Sequence, residues 1–270
     1  MPINPSDLKK LRTDVLEAVL EAGQKVMDIY NKGFEVTEKE DESPLTTADL
    51  ASNRLIMKSL ERISPSLPSL SEESAHQPFS IRSQWPAYWL IDPLDGTKEF
   101  IKHNGEFTVN VALIRGKRPA LGVVYAPALR LLYYAVEGEG AFKVDRGKHV
   151  PIHVRPLGSR KPTILGSRSH LSPRFETYLD WIGDHDLIRT GSSIKFCLIA
   201  EGEADLYPRF GPTSEWDTAA GQCVLEAAGG RVTDMKMKPL LYNTKASLEN
   251  PDFFAFGDVS RNWKEGREGK

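Results

Sequence analysis

Hydrophobic residues recur at steps of three and four near the start of the chain, at Leu8, Leu11, Val15, Ala18, Val19, Ala22, Val26 and Ile29. This is the period of a helix with one buried face, and Ser6 or Asp7 suits its N-terminal cap. We predict a first helix over residues 6–30. The same spacing predicts a second helix over 47–63, with Leu50, Ile56, Met57, Leu60 and Ile63 on its buried side.

The middle of the chain has the composition and spacing of β-strands. Short apolar segments lie at 69–71 and 88–91, and alternating or apolar segments bounded by turn residues follow at 107–114, 120–125, 131–136 and 141–144. Residues 34–42 alternate weakly and are heavily charged, which predicts an edge strand or a loop. Because the connections between the later strands are short, we expect an antiparallel meander that extends one sheet.

From residue 162 onwards, strand and helix patterns alternate. Strands are predicted at 162–167, 187–190, 204–207, 230–233 and 253–256, and helices at 172–182, 192–201 and 216–228. This alternation predicts an α/β unit. The segment 145–161 is rich in Arg, Lys, Pro and Gly. We therefore place a boundary there, between an α+β half (1–150) and an α/β half (151–270).

The charge balance excludes several function classes. The chain has 35 Lys and Arg against 37 Asp and Glu, so no global field favours nucleic-acid polymers or membrane surfaces. Cys197 and Cys223 lie far apart in helical segments, which indicates buried thiols in a reducing compartment. We see no secretory h-region and no membrane-spanning stretch. We expect a cytoplasmic protein, with peripheral association with the inner face of the cell membrane left open.

The most informative stretch covers residues 89–100, where an apolar strand ends at Asp92 and Asp95 follows. Pro93 turns the chain and leaves the Leu94 carbonyl free to face the same point. Two carboxylates and a carbonyl form a hard oxygen cluster that suits Mg²⁺.

Gly96 and Thr97 follow, and we expect them to open a short helix whose N–H groups form a seat for an anion. The alternative for the whole stretch is an ordinary surface turn, because Asp, Pro and Gly are common turn residues.

Other acidic residues have simpler explanations when considered alone. Asp49 and Asp217 each fall in the first turn of a predicted helix, where an acid interacts favourably with the helix dipole. Glu72 and Glu73 follow a short predicted strand. Most pairs of adjacent glutamates simply lie on the solvated surface. Their positions are compatible with both a metal site and these simpler roles.

Four motifs resemble, in order, the signatures of the inositol monophosphatase superfamily of Mg²⁺-dependent phosphatases. They are Thr-Thr-Ala-Asp at 46–49, Ser-Glu-Glu at 71–73, Asp-Pro-Leu-Asp-Gly-Thr at 92–97, and Trp-Asp at 216–217 with Gly-Gly at 229–230. The resemblance implies a layered αβαβα sandwich within the α/β class. It also implies two or three Mg²⁺ ions held by Glu72, Asp92, the Leu94 carbonyl, Asp95 and Asp217.

The same resemblance implies that Asp49 orients the Thr97 hydroxyl and helps to take the proton from an attacking water. Glu73 would then be a helper or a surface acid rather than a metal ligand.

Within this superfamily, the segments 92–101, 104–110, 191–202 and 206–212 are similar to the bacterial 3′(2′),5′-bisphosphate nucleotidases. That branch implies hydrolysis of the 3′-phosphate of 3′-phosphoadenosine 5′-phosphate (PAP), and action on its 5′-phosphosulfate relative (PAPS), in sulfate assimilation. One alternative is an inositol or sugar phosphatase. A non-enzymatic alternative is a nucleotide-binding module.

The branch also implies a set of substrate contacts. They comprise Glu72, Leu94, Asp95, Gly96, Thr97, Ser167, His170, Gly191, Ser192, Ser193, Lys195, Arg209 and Asp217. Lys195 and Arg209 would neutralise the second phosphate. Considered alone, His170 is most simply a turn residue. The expected partner is a small nucleotide, and a monomer and a homodimer are both compatible with the sequence.

Overall fold

The computed structural model describes residues 5–39, 44–168 and 172–264. In chain order, its elements are α1 (Pro5–Lys32), β1 (Val36–Glu38), β2 (Pro44–Thr46), α2 (Thr47–Ile63), β3 (Ser69–Ser71), α3 (Phe79–Arg82), β4 (Ala87–Asp95), α4 (Thr97–Ile101), β5 (Thr108–Arg115), β6 (Arg118–Ala126), β7 (Leu131–Val136), β8 (Gly140–Asp145), β9 (Lys148–Ile152), β10 (Thr163–Ser167), α5 (Pro173–Ile182), β11 (Asp186–Thr190), α6 (Ile194–Ala200), β12 (Leu206–Arg209), α7 (Glu215–Ala227), β13 (Arg231–Asp234) and β14 (Phe253–Phe256). Within these ranges, no helix combines the length and the apolar character that crossing a bilayer requires.

The N-terminal part forms a sheet of seven strands in the order β3-β4-β5-β6-β7-β8-β9. β3 runs parallel to β4, and each later strand is antiparallel to its predecessor, which confirms the predicted meander. α1 and α2 cover one face of this sheet. Their apolar residues, among them Val19 and Ile56, share a core with Trp89 and Val111 of the sheet.

The C-terminal part forms a second sheet of five strands in the order β11-β10-β12-β14-β13. α6 and α7 lie between the two sheets, where Phe196 and Val224 pack in one core with Ala112 and Phe253. α5 packs on the outer face of the second sheet through Phe175, Tyr178 and Leu179. The layers are therefore helix, sheet, helix, sheet, helix, and the predicted αβαβα sandwich is confirmed.

The structure corrects the predicted elements at several points. β9 lies inside the segment that was predicted to be a boundary, and its exposed residues 148–151 explain why no apolar pattern indicated a strand. The strand that was predicted to end at Asp92 is β4, and it continues to Asp95. Neither α3 nor β2 was predicted. A division between residues 150 and 151 falls within β9, and the existence of two separate domains stays a prediction.

Candidate active site

Asp92 and Asp95 lie at the C-terminal end of β4, beside a β-bulge. Asp92 is opposite Asn110 and Asp95 is opposite Thr108, so β4 advances three residues while β5 advances two. On a regular strand, residues three apart point to opposite faces, and a bulge changes this alternation. Asp92, the Leu94 residue between them and Asp95 all line one cavity of about 270 Å³.

Four acids that the sequence analysis selected meet at this cavity. Glu72 follows β3, Asp92 and Asp95 belong to β4, and Asp217 lies in the first turn of α7. Burial raises the pKa of Asp92 well above its usual value, and repulsion from Glu72, Asp95 and Asp217 adds to this effect. Burial raises the pKa of Asp95 to about 6, against an opposing effect of Lys195. The pKa of Asp217 is also raised well above its usual value, first by burial and then by Asp95 and Glu72.

Backbone N–H groups fix the orientation of these carboxylates. Asp92 Oδ1 accepts a hydrogen bond from Leu94 N at 3.1 Å. Asp217 Oδ2 accepts one from Ser214 N at 2.9 Å, as part of the capping box that begins α7. Asp95 Oδ2 accepts one from Ser193 N at 2.5 Å. These bonds hold the carboxylates at the cavity despite their mutual repulsion.

The donor set fits a divalent cation. Clustered carboxylates with raised pKa values are expensive to ionise unless a positive charge is near, and carboxylate and carbonyl oxygens are the ligands that Mg²⁺ prefers. In the described parts of the chain, however, no group of three or more His, Cys, Asp or Glu side chains is arranged so that it could already hold a metal ion.

Lys39, which the sequence analysis did not select, lies next to the two glutamates of the Ser-Glu-Glu motif. Its Nζ is 2.6 Å from Glu72 Oε1 and 2.5 Å from Glu73 Oε1. The Glu73 side chain is 5% exposed, and burial raises its pKa to about 7 although Lys39 opposes this. Glu73 is thus not a surface acid. The only sequence signal for Lys39 was a lone Lys in the acidic stretch 35–42.

Asp49 and Thr97 are hydrogen-bonded to each other, with Thr97 Oγ1 donating to Asp49 Oδ1 at 3.2 Å. Asp49 Oδ2 accepts bonds from Thr46 N at 2.8 Å and Thr46 Oγ1 at 2.5 Å, within the capping box of α2. Asp49 is buried, and this burial raises its pKa although the Thr46 bonds oppose the shift. Thr97 Oγ1 is also 3.2 Å from the Leu94 carbonyl. The Thr97 hydroxyl thereby connects Asp49 to the motif at residues 92–97.

The turn formed by residues 190–193, between β11 and α6, forms another wall of the cavity. Gly191 N donates to Glu106 Oε2 at 2.8 Å, and Ser193 Oγ bonds Thr108 Oγ1 and Asn110 Oδ1 at 2.8 and 2.7 Å. Ser192 has a left-handed φ of 46°. Its Oγ is buried at the cavity and has no hydrogen-bond partner among the described residues.

Lys195 lies beneath this turn, and its residue is 3% exposed. Its Nζ donates to the carbonyls of Thr190 at 3.2 Å and Ser192 at 2.5 Å, and lies 5.0 Å from the centre of the Tyr207 ring. Burial lowers the pKa of Lys195 to about 8, whereas Asp95 acts to raise it. The ammonium group therefore braces the turn from inside the protein while it also lines the cavity.

The remaining predicted contacts divide into two groups. Gly96, Ser167 and Arg209 line the cavity, and Arg209 donates to Thr213 Oγ1 and the Pro212 carbonyl, both at 2.6 Å. His170 lies outside the described residues. The sequence analysis missed Tyr207, which also lines the cavity and whose apolar strand pattern indicated only a core position.

Comparison with known proteins gives a consistent set of matches. A sequence profile of the inositol monophosphatase family matches residues 7–265. The chain is 48% identical over 241 residues to the 3′(2′),5′-bisphosphate nucleotidase CysQ of Salmonella typhimurium, covering 88% of this chain and 96% of that protein. The crystal structure of CysQ from Bacteroides thetaiotaomicron aligns with a TM-score of 0.79 and 40% identity, over 93% of this chain and 97% of that one. The SuhB protein of Bartonella henselae aligns with a TM-score of 0.77 and 25% identity, over 93% and 94% of the two chains.

Proposed function

The chain belongs to the inositol monophosphatase family, and we propose that it is a 3′(2′),5′-bisphosphate nucleotidase. It hydrolyses the 3′-phosphate of PAP to give AMP and phosphate, and acts in the same way on PAPS, in sulfate assimilation. The observation that carries the proposal is the meeting of Glu72, Asp92, Asp95 and Asp217 at the cavity that also holds the Thr97 hydroxyl.

The family is metal-dependent, and we propose that two or three Mg²⁺ ions bind here. Their ligands would be Glu72, Asp92, the Leu94 carbonyl, Asp95 and Asp217. When bound, such ions supply positive charge for the scissile phosphate and make a water molecule more acidic. The Lys39 side chain, which pairs with Glu72, would have to share or give up that carboxylate.

The protein's own groups manage the proton in this proposal. The Thr97 hydroxyl takes a proton from the attacking water as it passes its own proton to Asp49 Oδ1, to which it is hydrogen-bonded. The departing 3′-oxygen of the ribose is protonated by solvent. Burial raises the pKa of Asp49, which makes it a better proton acceptor than a solvated aspartate. Thr46 holds the other oxygen of Asp49, so the carboxylate cannot rotate away.

The cavity wall at 190–193 would bind the non-reacting end of the nucleotide, with Ser167 beside it and Arg209 available to its 5′-phosphate. Cys197 and Cys223 are both buried free thiols, which is typical of a reducing compartment. We therefore propose a cytoplasmic location.

A phosphate-release assay tests the function. PAP, PAPS, inositol 1-phosphate and fructose 1,6-bisphosphate are compared with and without Mg²⁺, and kcat/KM is measured for each. We expect Mg²⁺-dependent turnover that is fastest for the two nucleotides. An inositol phosphatase would instead turn over inositol 1-phosphate at least as fast as PAP. Glu137→Gln, which alters a remote and exposed acid, is the matched control for variants at the site.

A further inference from the structure

Glu106 precedes β5 and reaches across to the C-terminal sheet, where its carboxylate binds two partners. Oε2 accepts hydrogen bonds from Gly191 N at 2.8 Å and from Arg168 Nε at 2.7 Å. Oε1 accepts one from Arg168 Nη2 at 2.6 Å, and the same nitrogen donates to the Arg189 carbonyl at 2.9 Å. One carboxylate thus connects the ends of β10 and β11 to the N-terminal sheet.

These bonds are of the strong, charge-assisted type. The Glu106 side chain is 17% exposed and that of Arg168 is 46% exposed, so the carboxylate is the more enclosed partner. Burial opposes ionisation of Glu106, but the hydrogen bonds from Arg168 and Gly191 outweigh it and lower the pKa. Glu106 is consequently charged at neutral pH, when its hydrogen bonds from Arg168 and Gly191 are strongest.

The turn packs directly against the segment that carries Glu106. A Cβ atom on Gly191 would lie 2.7 Å from the Glu106 carbonyl oxygen and 2.7 Å from Glu99 Cγ, so a side chain does not fit at this position. Beyond Gly191, the left-handed φ of Ser192 and the bond from Ser193 N to Asp95 complete the turn. A shift at Gly191 would therefore move the wall of the cavity.

We propose that Glu106 is a positioning residue that sets the preference of the site for a nucleotide over a small phosphate ester. Glu106 does not line the cavity that the described residues form, and it acts by holding the turn 190–193 and the Arg168 side chain in place. The carboxylate centre is the set of four acids at the cavity, Glu72, Asp92, Asp95 and Asp217. A small ester needs only this centre, whereas a nucleotide also needs the turn. This inference rests on the proposed function.

The test compares Glu106→Ala with the unaltered protein, using PAP and p-nitrophenyl phosphate at saturating Mg²⁺. The value of KM for PAP should rise, and the ratio of kcat/KM for PAP to that for the ester should fall by at least about tenfold, the equivalent of one charge-assisted hydrogen bond. Glu106→Gln should lose less, because its amide oxygen can still accept the Gly191 N–H. The matched control is Glu137→Ala, which breaks the exposed ion pair with Arg115 and should leave the ratio unchanged.

The outcomes separate the inference from the proposed function. If the unaltered protein shows no preference for PAP, the proposed function fails and the inference fails with it. If the unaltered protein prefers PAP and Glu106→Ala keeps that ratio, or loses both activities equally, only the inference is overturned. If Glu106→Ala does not fold, Glu106→Gln and Arg168→Ala take its place. A selective rise in KM for PAP in these variants supports the inference, and an unchanged ratio overturns it.

Discussion

Thr97 Oγ1 donates a hydrogen bond to Asp49 Oδ1 at 3.2 Å, which joins two residues 48 positions apart in the chain. Neither residue is held by this bond alone. Asp49 is fixed by the capping box of α2, and Thr97 begins α4 directly after Gly96, whose φ of 89° only glycine adopts readily. The N-terminal ends of α2 and α4 therefore hold the two side chains within hydrogen-bond distance. This fixed geometry is what the proposed proton transfer requires.

The first prediction concerns this pair. Asp49→Asn and Thr97→Ala should each lower kcat by at least about a hundredfold, within the range for loss of a general base, with little change in KM. Because the two residues act as a unit, the double variant should be no slower than the slower single variant. Steady-state kinetics on PAP measures this. Losses that multiply in the double variant would show that the residues act independently.

The second prediction concerns the acids that would hold the metal. Asp217→Asn keeps the shape of the side chain but removes a negative charge from the carboxylate centre, so it should abolish nearly all turnover and raise the Mg²⁺ concentration for half-maximal activity. Asp92→Asn and Asp95→Asn should behave in the same way.

Circular dichroism serves as the control for these variants, because Asp217 also caps α7 through Ser214 N. An Asp217→Asn protein that is folded and retains ordinary Mg²⁺-dependent activity would contradict the proposed ligand set.

The third prediction concerns Lys195, which braces the turn through the carbonyls of Thr190 and Ser192. Lys195→Ala should lower kcat/KM more for PAP than for p-nitrophenyl phosphate. Expressed as lost transition-state stabilisation, the difference between the two substrates should be at least about 1.5 kcal/mol, the low end for a charge-assisted hydrogen bond. The reason is that, in the proposed function, the turn binds the non-reacting end of the nucleotide, which the small ester lacks. Equal losses for both substrates would mean that Lys195 serves the carboxylate centre or the fold instead.

Local sequence signals predicted much of the fold. α2 occupies residues 47–63 as predicted, because Thr46 caps its start and Pro65 follows its end. By contrast, β9 was missed because its exposed residues carry no apolar pattern. The bulge in β4 was also missed, because it depends on register with β5, which the residues of β4 do not encode by themselves.

The candidate site was harder to predict than the fold from the residues alone. Asp217 caps a helix as well as lining the cavity, and Asp49 caps a helix as well as accepting a hydrogen bond from Thr97, so their local pattern is that of ordinary first-turn acids. Resemblance to a family was needed to select them. Lys39 and Glu106 belong to no motif that indicates their contacts, since their partners Glu73 and Gly191 are distant in the chain.

The fourth prediction concerns pH. Burial raises the pKa of Glu215 from 4.5 to about 7, although bonds from Asn243 N oppose the shift. Burial also raises the pKa of Glu73 to about 7. Because the folded state binds these protons more tightly, their stabilisation is complete below about pH 4.5 and is lost as the pH rises through about 7.

In EDTA, Tm should therefore be higher at pH 5.5 than at pH 7.5, by at least about 2 °C. Glu215→Gln should reduce the difference. Calorimetry is best kept below pH 8, because burial lowers the pKa of Lys195 to about 8, and stability from that group rises at higher pH. A Tm that is higher at pH 7.5 would contradict the prediction.

We propose that the carboxylates at the cavity remove the 3′-phosphate of PAP while the turn 190–193 holds the rest of the nucleotide. Chromatographic identification of the nucleotide formed from PAP in the presence of Mg²⁺ shows which phosphate the protein removes. We predict AMP and phosphate in equal amounts, with no product in the Asp92→Asn protein. Formation of adenosine 3′-phosphate, or an absence of turnover by the folded, Mg²⁺-loaded protein, would contradict it.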